Sequence, residues 1–364
     1  MPTTRTANER APALLLADGD ELTYRVMRCV NDAGMRVHVL GTAGSAAARL
    51  ARSRYCAGLH AVRAGAWASG EAVHEVNALA HALGAQIVLA SDPATTRFVV
   101  WHGRGIAVRT FPVPAAAAFE RLVNKDSFAQ VCAALGLPHP ATTACDGPQE
   151  VLELLQTLDA RPVMIKPVDA HAGHGVWKLE RRDEAALRRI RALDHHPIVV
   201  QEFIEGSDVN ALLLCKAGDI VAAIAYGLDA GEFRVVDEPR LWALLARAAS
   251  ALQLDGAIGF DMRVGTDGRP WFIECNPRFT YEGSLVGLLS GYNIIREFLV
   301  PGTLAPRAQA ARLHRARLLR PWSLLDADRR HARYLLSDLR HSFAQACREF
   351  YVTKLQRSPA GFSA

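Results

Sequence analysis

The residues best suited to chemistry fall in an ordered series. Lys166 closes an apolar run, Val163-Met164-Ile165-Lys166-Pro167. A lysine placed so packs its stem inside and can hold its ammonium over a phosphate, although a surface lysine at a strand end is the plainer alternative. Ala170-His171-Ala172-Gly173-His174-Gly175-Val176 follows. Its glycines let backbone N–H groups approach phosphate oxygens, and His171 and His174 are either further donors or solvated loop residues. Gln201-Glu202-Phe203-Ile204-Glu205-Gly206 starts as a strand and breaks at Gly206. Such an exit can offer backbone groups to an adenine edge, with Phe203 and Ile204 as apolar walls. Asp208 comes just after, where an acid can take ribose hydroxyls or simply face solvent.

The sharpest signal is Gly259-Phe260-Asp261-Met262-Arg263 followed by Phe272-Ile273-Glu274-Cys275-Asn276-Pro277-Arg278. Glu274 and Asn276 are two apart on a strand, so their side chains face one side. Asp261 lies on the partner strand. Three oxygen donors on one face suit Mg2+ bridging phosphates. Acids flanked by Phe260, Phe272 and Ile273 are partly buried, and a buried acid wants a cation. Arg278 follows in a position to meet a transferring phosphoryl group or an acyl-phosphate.

The elements that must hold these residues read as follows. Ala13–Ala17, a helix from about Glu21 to Ala33, and Val37–Gly41 make a βαβ rhythm and so a parallel sheet. A helix at Val73–Leu83 and a strand at Ile87–Ala90 extend it, which makes residues 1 to about 115 a small doubly wound domain. Asn124–Leu135 reads as a helix stopped by Gly136 and Pro138, and Val151–Leu158 as another. Val163–Pro167, Ile198–Ile204 and Ala211–Cys215 are strands, and Leu241–Leu252 is a helix. Gly259–Val264 and Trp271–Cys275 form a hairpin across Gly265-Thr266-Asp267-Gly268.

The bulk numbers set the frame. A chain of 364 residues, half of them hydrophobic and 22% charged, is an ordinary globular protein of two or three subdomains. No eighteen-residue apolar stretch occurs, and the polar start lacks a signal-peptide core. Seven cysteines with no CxxC pair argue against a disulfide framework or zinc site and for a reducing cytoplasm. The net charge of +5 comes from the tail, where residues 307–357 hold 12 Lys/Arg against 4 Asp/Glu. The body is mildly acidic, so nucleic acid is not an expected partner.

Taken together, Asn124-Lys125-Asp126, Ile165-Lys166-Pro167, the glycine loop, Gln201–Gly206, Gly259-Phe260-Asp261 and Glu274-Cys275-Asn276-Pro277-Arg278 resemble the ATP-grasp superfamily. The nearer likeness is to its carbamoyl-phosphate-synthase-like and biotin-carboxylase-like branch, over roughly residues 12 to 300. The resemblance implies a mixed α/β and α+β architecture: a doubly wound pre-ATP-grasp domain at 1–115, a two-lobed ATP-grasp domain at 116–304 (flap lobe about 125–200, large lobe about 201–304) and a helical extension at 305–364. It implies Lys125 and Lys166 as phosphate lysines, residues 170–176 with His171, Gly173, His174 and Gly175 as a flap, and Gln201 with the Glu202, Phe203 and Ile204 segment at adenine. It further implies Asp208 at ribose, Asp261, Glu274 and Asn276 on Mg2+ (or substituting Mn2+), and catalysis by Arg278, Lys166 and Lys125. Tyr281, Glu282 and Ser284 stand where the family often meets its acyl substrate.

The implied reaction joins a small-molecule carboxylate to an amine, or less often a thiol, through an acyl-phosphate with release of ADP. Two other readings stay open: a bicarbonate-dependent carboxylase or phosphotransferase, and a non-catalytic nucleotide-binding module. The tail spaces Leu335, Leu339, Phe343, Cys347, Phe350 and Tyr351 helically. Either that stripe packs on its own domain or on a second copy in a homodimer, or a basic amphipathic helix meets an acidic partner or membrane surface.

Overall fold

A computed structural model describes residues 10–168, 175–229, 232–299, 312–314 and 329–345. The chain divides into two compact units. One gathers Met1–Val113, Val221–Val236 and Arg278–Ala364; the other gathers Pro114–Ile220 and Asp237–Pro277.

The first unit opens with β1 (Pro12–Ala17), α1 (Glu21–Asp32), β2 (Arg36–Thr42), β3 (Cys56–Val62), α2 (Ala66–Ser69), α3 (Ala72–Leu83), β4 (Ile87–Ala90) and α4 (Pro93–His102). The strands form a parallel sheet in the order β3-β2-β1-β4. Every residue of β1 and β4 is buried, as expected of strands covered on both faces. α4 begins on a capping box, in which Asp92 accepts from the Thr95 N–H and Pro93 fills the first helical position. β3 escaped the sequence reading because its residues are mostly half-buried and carry no clean alternation.

The second unit holds α5 (Ala116–Val123), α6 (Lys125–Ala134), β5 (Thr142–Cys145), α7 (Pro148–Thr157), β6 (Val163–Pro167), β7 (Trp177–Leu179), α8 (Glu184–Arg191), β8 (Ile198–Glu202), β9 (Gly206–Lys216), α9 (Pro239–Ala251), β12 (Gly256–Gly265) and β13 (Pro270–Asn276). One antiparallel sheet runs β5-β8-β6-β7, and β12 lies between β9 and β13 in another. The two fit different needs. The first presents Lys166 from its central strand; the second presents the acids. Gly206 opens β9 where a Cβ would lie 1.9 Å from the Val264 carbonyl oxygen, so only glycine allows the strand to close on β12.

β10 (Asp219–Asp229) and β11 (Glu232–Val235) pair antiparallel, and β14 (Arg312–His314) joins β11. α10 (Tyr281–Ser290) and α11 (Ile294–Leu299) pack on α1. That packing is why the chain from Arg278 onward belongs to the first unit, although the sequence pattern runs through it without a break.

The tail helix α12 (Arg329–Leu336) and the helical residues 339–345 pack on their own unit by a face other than the expected stripe. Tyr334, Asp338, His341 and Ser342 are buried, whereas Leu336, Leu339 and Phe343 stay 56%, 54% and 56% exposed. The polar-aromatic face docks, not the apolar stripe. Specific partners decide this: Asp338 accepts from Ser53 Oγ, His341 stacks on Tyr24 with ring centroids 3.7 Å apart, and Arg28 lies 4.0 Å over the Tyr334 ring. Cys347, Phe350 and Tyr351 lie outside the described residues.

Candidate active site

α6 starts at Lys125 because Asn124 caps it, its Oδ1 accepting from the Asp126 and Ser127 N–H groups at 3.0 Å. One turn on, Phe128 packs with Phe260 and Phe272 at centroid distances of 6.2 and 6.4 Å. This aromatic cluster lies under the hairpin, on the face opposite the acids. It seats the first turn of α6 and brings the buried Lys125 Nζ to 3.6 Å from Glu274 Oε2.

Asp261 on β12 pairs directly with Glu274 on β13, and Asn276 lies two pairs further along, opposite Gly259. The side chains of Asp261, Glu274 and Asn276 therefore share one face, and Asn276 Nδ2 donates to Asp261 Oδ2 at 3.1 Å. A bulge at the Asp261/Met262 step lets Met262 and Phe272 turn into the core while the acids stay together. Two carboxylates and an amide form an all-oxygen, hard donor set. That set fits Mg2+, which takes one or two protein carboxylates and completes its shell with phosphate oxygens and water.

Lys166 is buried on β6, and its Nζ donates to Gln201 Oε1 at 2.7 Å. Gln201 Nε2 in turn donates to Thr142 Oγ1 at 3.0 Å. Burial pushes the Lys166 ammonium below its ordinary range; repulsion from Lys125 and Arg263 adds to this, against attraction from Glu274 and Asp261. For Glu274, burial alone works to raise the carboxyl, but Lys125, the bond with Asp261, Lys166 and Asn276 together hold it below the usual range. Two ammonium groups and two acids thus lie within electrostatic reach of one another.

The structure brings Lys125, Lys166, Gln201, Asp261, Glu274 and Asn276 together. Asp208 shares the face of Asp261, but it is 65% exposed and paired with Arg263 at 2.6 Å. The Glu202 and Phe203 N–H groups donate to the carbonyls of Ala141 and Pro162, and Ile204 is buried at the strand exit. Gly175 has φ 72°, and a Cβ there would meet Pro167 at 2.8 Å. His171, Gly173 and His174 lie outside the described residues.

Arg278, Tyr281, Glu282 and Ser284 belong to the other unit. Arg278 donates to the Phe279 carbonyl at 2.9 Å. Tyr281 lies under the Arg25 guanidinium at 3.5 Å, and Ser284 is buried.

Sequence reasoning missed three participants. Arg263 stacks 5.0 Å from the Phe203 ring; its place two residues after Asp261 on an alternating strand was the available signal. Asn210 is the β9 residue opposite Asp261, and Thr142 anchors Gln201. Only the long-range pairing reveals these two.

Residues 123–282 match the ATP-grasp domain family profile. That stretch is similar to ATP-grasp domains. Within this family, a probable alpha-L-glutamate ligase of Serratia proteamaculans is 30% identical over 190 residues, covering 48% of this chain and 62% of that protein. A ribosomal protein bS6–L-glutamate ligase of Salmonella paratyphi B is 29% identical with the same coverage. The chain thus spans under two thirds of the curated relatives it matches. Biotin carboxylase from Campylobacter jejuni superposes with a TM-score of 0.62 at 16% identity, over 80% of this chain and 72% of that one. L-amino acid ligase from Bacillus licheniformis gives 0.57 at 18%, over 81% and 76%. These likenesses establish the ATP-grasp fold for the chain and its mixed α/β class.

Proposed function

We propose that this protein is an ATP-dependent carboxylate–amine ligase that works through an acyl-phosphate. One observation carries the reading: Lys125 and Lys166 converge with Asp261, Glu274 and Asn276 on one face of the second unit. A cluster of mutually balanced ammonium groups and acids suits a polyphosphate with its cation.

In this reading the substrate carboxylate oxygen attacks the γ-phosphorus, and the bond to the β–γ bridging oxygen breaks to release ADP. The amine nitrogen then attacks the acyl carbon, phosphate leaves, and the nitrogen loses a proton. Lys166, fixed by Gln201, and Lys125, fixed by the first turn of α6, neutralise phosphate charge without having to reorganise. Asp261, Glu274 and Asn276 would hold Mg2+, which would neutralise part of the polyphosphate charge. Arg278 serves the transferring group, residues 170–176 cover it, and the Gln201–Ile204 strand exit takes adenine, with Asp208 at ribose. Tyr281, Glu282 and Ser284 are weaker substrate candidates, because Tyr281 and Ser284 already face α1. Residues 1–115 serve as the pre-ATP-grasp domain and residues 116–304 as the ATP-grasp domain. The six cysteines among the described residues are free thiols, which suits a cytoplasmic enzyme.

The test is nucleotide release from MgATP with pooled carboxylates, alone and with pooled amines, L-glutamate first among the amines because two relatives are named for it. ADP release that needs both pools supports the ligase. Release on bicarbonate alone moves the assignment to a carboxylase, and AMP as product overturns the acyl-phosphate.

A further inference from the structure

The parallel sheet has its own crevice. From β1 the chain steps outward through β2 to β3, then crosses back to place β4 on the other side of β1. At such a change of direction the loops leaving the carboxyl ends of the strands part, and open α/β sheets bind ligands there. A cavity of about 600 Å3 opens at those ends, lined by Asp18 after β1, Trp67 after β3, and Arg97, Phe98 and Trp101 on α4. That volume is of the size that holds a small organic molecule.

Its walls are aromatic and its polar groups few. Trp67 and Phe98 are buried edge to face with centroids 5.1 Å apart. The Trp67 indole donates to Thr42 Oγ1 at 2.7 Å, and that hydroxyl donates to Asp18 Oδ1 at 2.5 Å. Asp18 is therefore held rigid by a neutral group, and among the described residues no cation pairs with its carboxylate. Arg97 supplies the opposite charge on the same cavity wall. Trp101, 55% exposed, adds another ring to the lining.

We propose that this crevice binds a free amino acid with a large apolar or aromatic side chain. Its ammonium meets Asp18, its carboxylate meets Arg97, and its side chain lies against Trp67, Phe98 and Trp101. Indole faces favour both an apolar group and a nearby ammonium, and an acid and a base lining one cavity select a zwitterion over either single charge. The proposal needs no nucleotide, so it stands or falls apart from the ligase reading.

The experiment is a titration of the nucleotide-free protein with L-phenylalanine and with L-leucine, followed by calorimetry and by tryptophan emission. Phenethylamine, which lacks the carboxylate, and 3-phenylpropionate, which lacks the amine, are the controls. Saturable binding of an amino acid is expected, about tenfold or more tighter than either control. Asp18→Asn keeps the acceptor for Thr42 and should weaken binding about tenfold to a hundredfold. Trp101→Leu should reduce the emission change in a protein that still folds, since the ring is largely exposed. No saturable binding of either amino acid, equal binding of a single-charge control, or unchanged affinity in Asp18→Asn would each overturn the assignment.

Discussion

Two groups of buried or half-buried cations divide the molecule between them. In the second unit, Lys125 and Lys166 face carboxylates and an amide. In the first, Arg25 and Arg28 of α1 face rings: Arg25 lies over Tyr281 at 3.5 Å, and Arg28 lies 4.3 Å from the Tyr55 ring and 4.0 Å from that of Tyr334. Arg28 also donates to the Tyr24 hydroxyl at 3.0 Å and the Tyr334 carbonyl at 3.1 Å. An ammonium is a compact charge that a phosphate can take over from a carboxylate. A guanidinium wedged between rings and a carbonyl has its flat faces and its fork already used. The first arrangement is suited to exchanging partners, the second to fastening the tail helix onto α1.

Glu274→Gln tests the first group with the largest expected effect. The substitution removes the charge opposite Lys125 while keeping the shape, so nucleotide turnover should fall by at least about a hundredfold. The melting temperature should fall as well, because the buried Lys125 and Lys166 ammonium groups lose Glu274 and keep Asp261. Turnover equal to the parent would remove the metal and phosphate assignment.

Arg28→Ala tests the second group. Its ring contacts and two hydrogen bonds together contribute about 2 kcal/mol. The expected result is a lower melting temperature and faster hydrogen exchange at residues 329–345, with ADP affinity unchanged. Loss of ADP binding without loss of stability would show that the aromatic cluster serves chemistry and would erase the contrast.

Much of the first group was legible in the sequence. Strand alternation put Asp261, Glu274 and Asn276 on one face, and the Gly265–Gly268 turn joined their strands as expected. The capped start of α6 at Lys125 and the apolar strand ending in Lys166 were legible for the same reason: short-range patterns fix them. What was hidden depends on partners far along the chain. The amide of Gln201 looked free for adenine until β5 paired with β8 and set Thr142 beside it. Asp208 looked solvated until β9 met β12 and gave it Arg263. The tail was less legible. Helical spacing correctly foretold a helix, but periodicity ranks faces by hydrophobicity alone. It gave no weight to an Asp338–Ser53 bond or a Tyr24–His341 stack.

Gln201→Leu sharpens the first group further. It leaves Lys166 without its acceptor and Thr142 without its donor, so Lys166 should hold phosphate less firmly and turnover should drop about tenfold. Gln201→Asn, too short to span both partners, should behave alike. If turnover survives in both, the amide is not what positions Lys166.

The smallest effect is a pH dependence, and it separates the two groups by sign. Burial lowers the Lys166 ammonium from its ordinary 10.5, so in the empty site the proton leaves earlier than from a free lysine. Below the lowered value the buried charge costs folding free energy, and that cost fades as pH rises between the folded and unfolded values. Phosphate binding runs the other way, since it needs the charged form. ADP affinity should therefore decline through a titration centred below 10.5, while thermal stability does not decline with it. Gln201→Glu would put a negative charge beside the ammonium and move the decline to higher pH. The ring-stacked Arg28 offers no such titration, because a guanidinium keeps its proton throughout. A decline unmoved by Gln201→Glu would mean that a group other than Lys166 controls the nucleotide's phosphates, and isothermal titration of ADP across pH 7 to 10.5 reads the result directly.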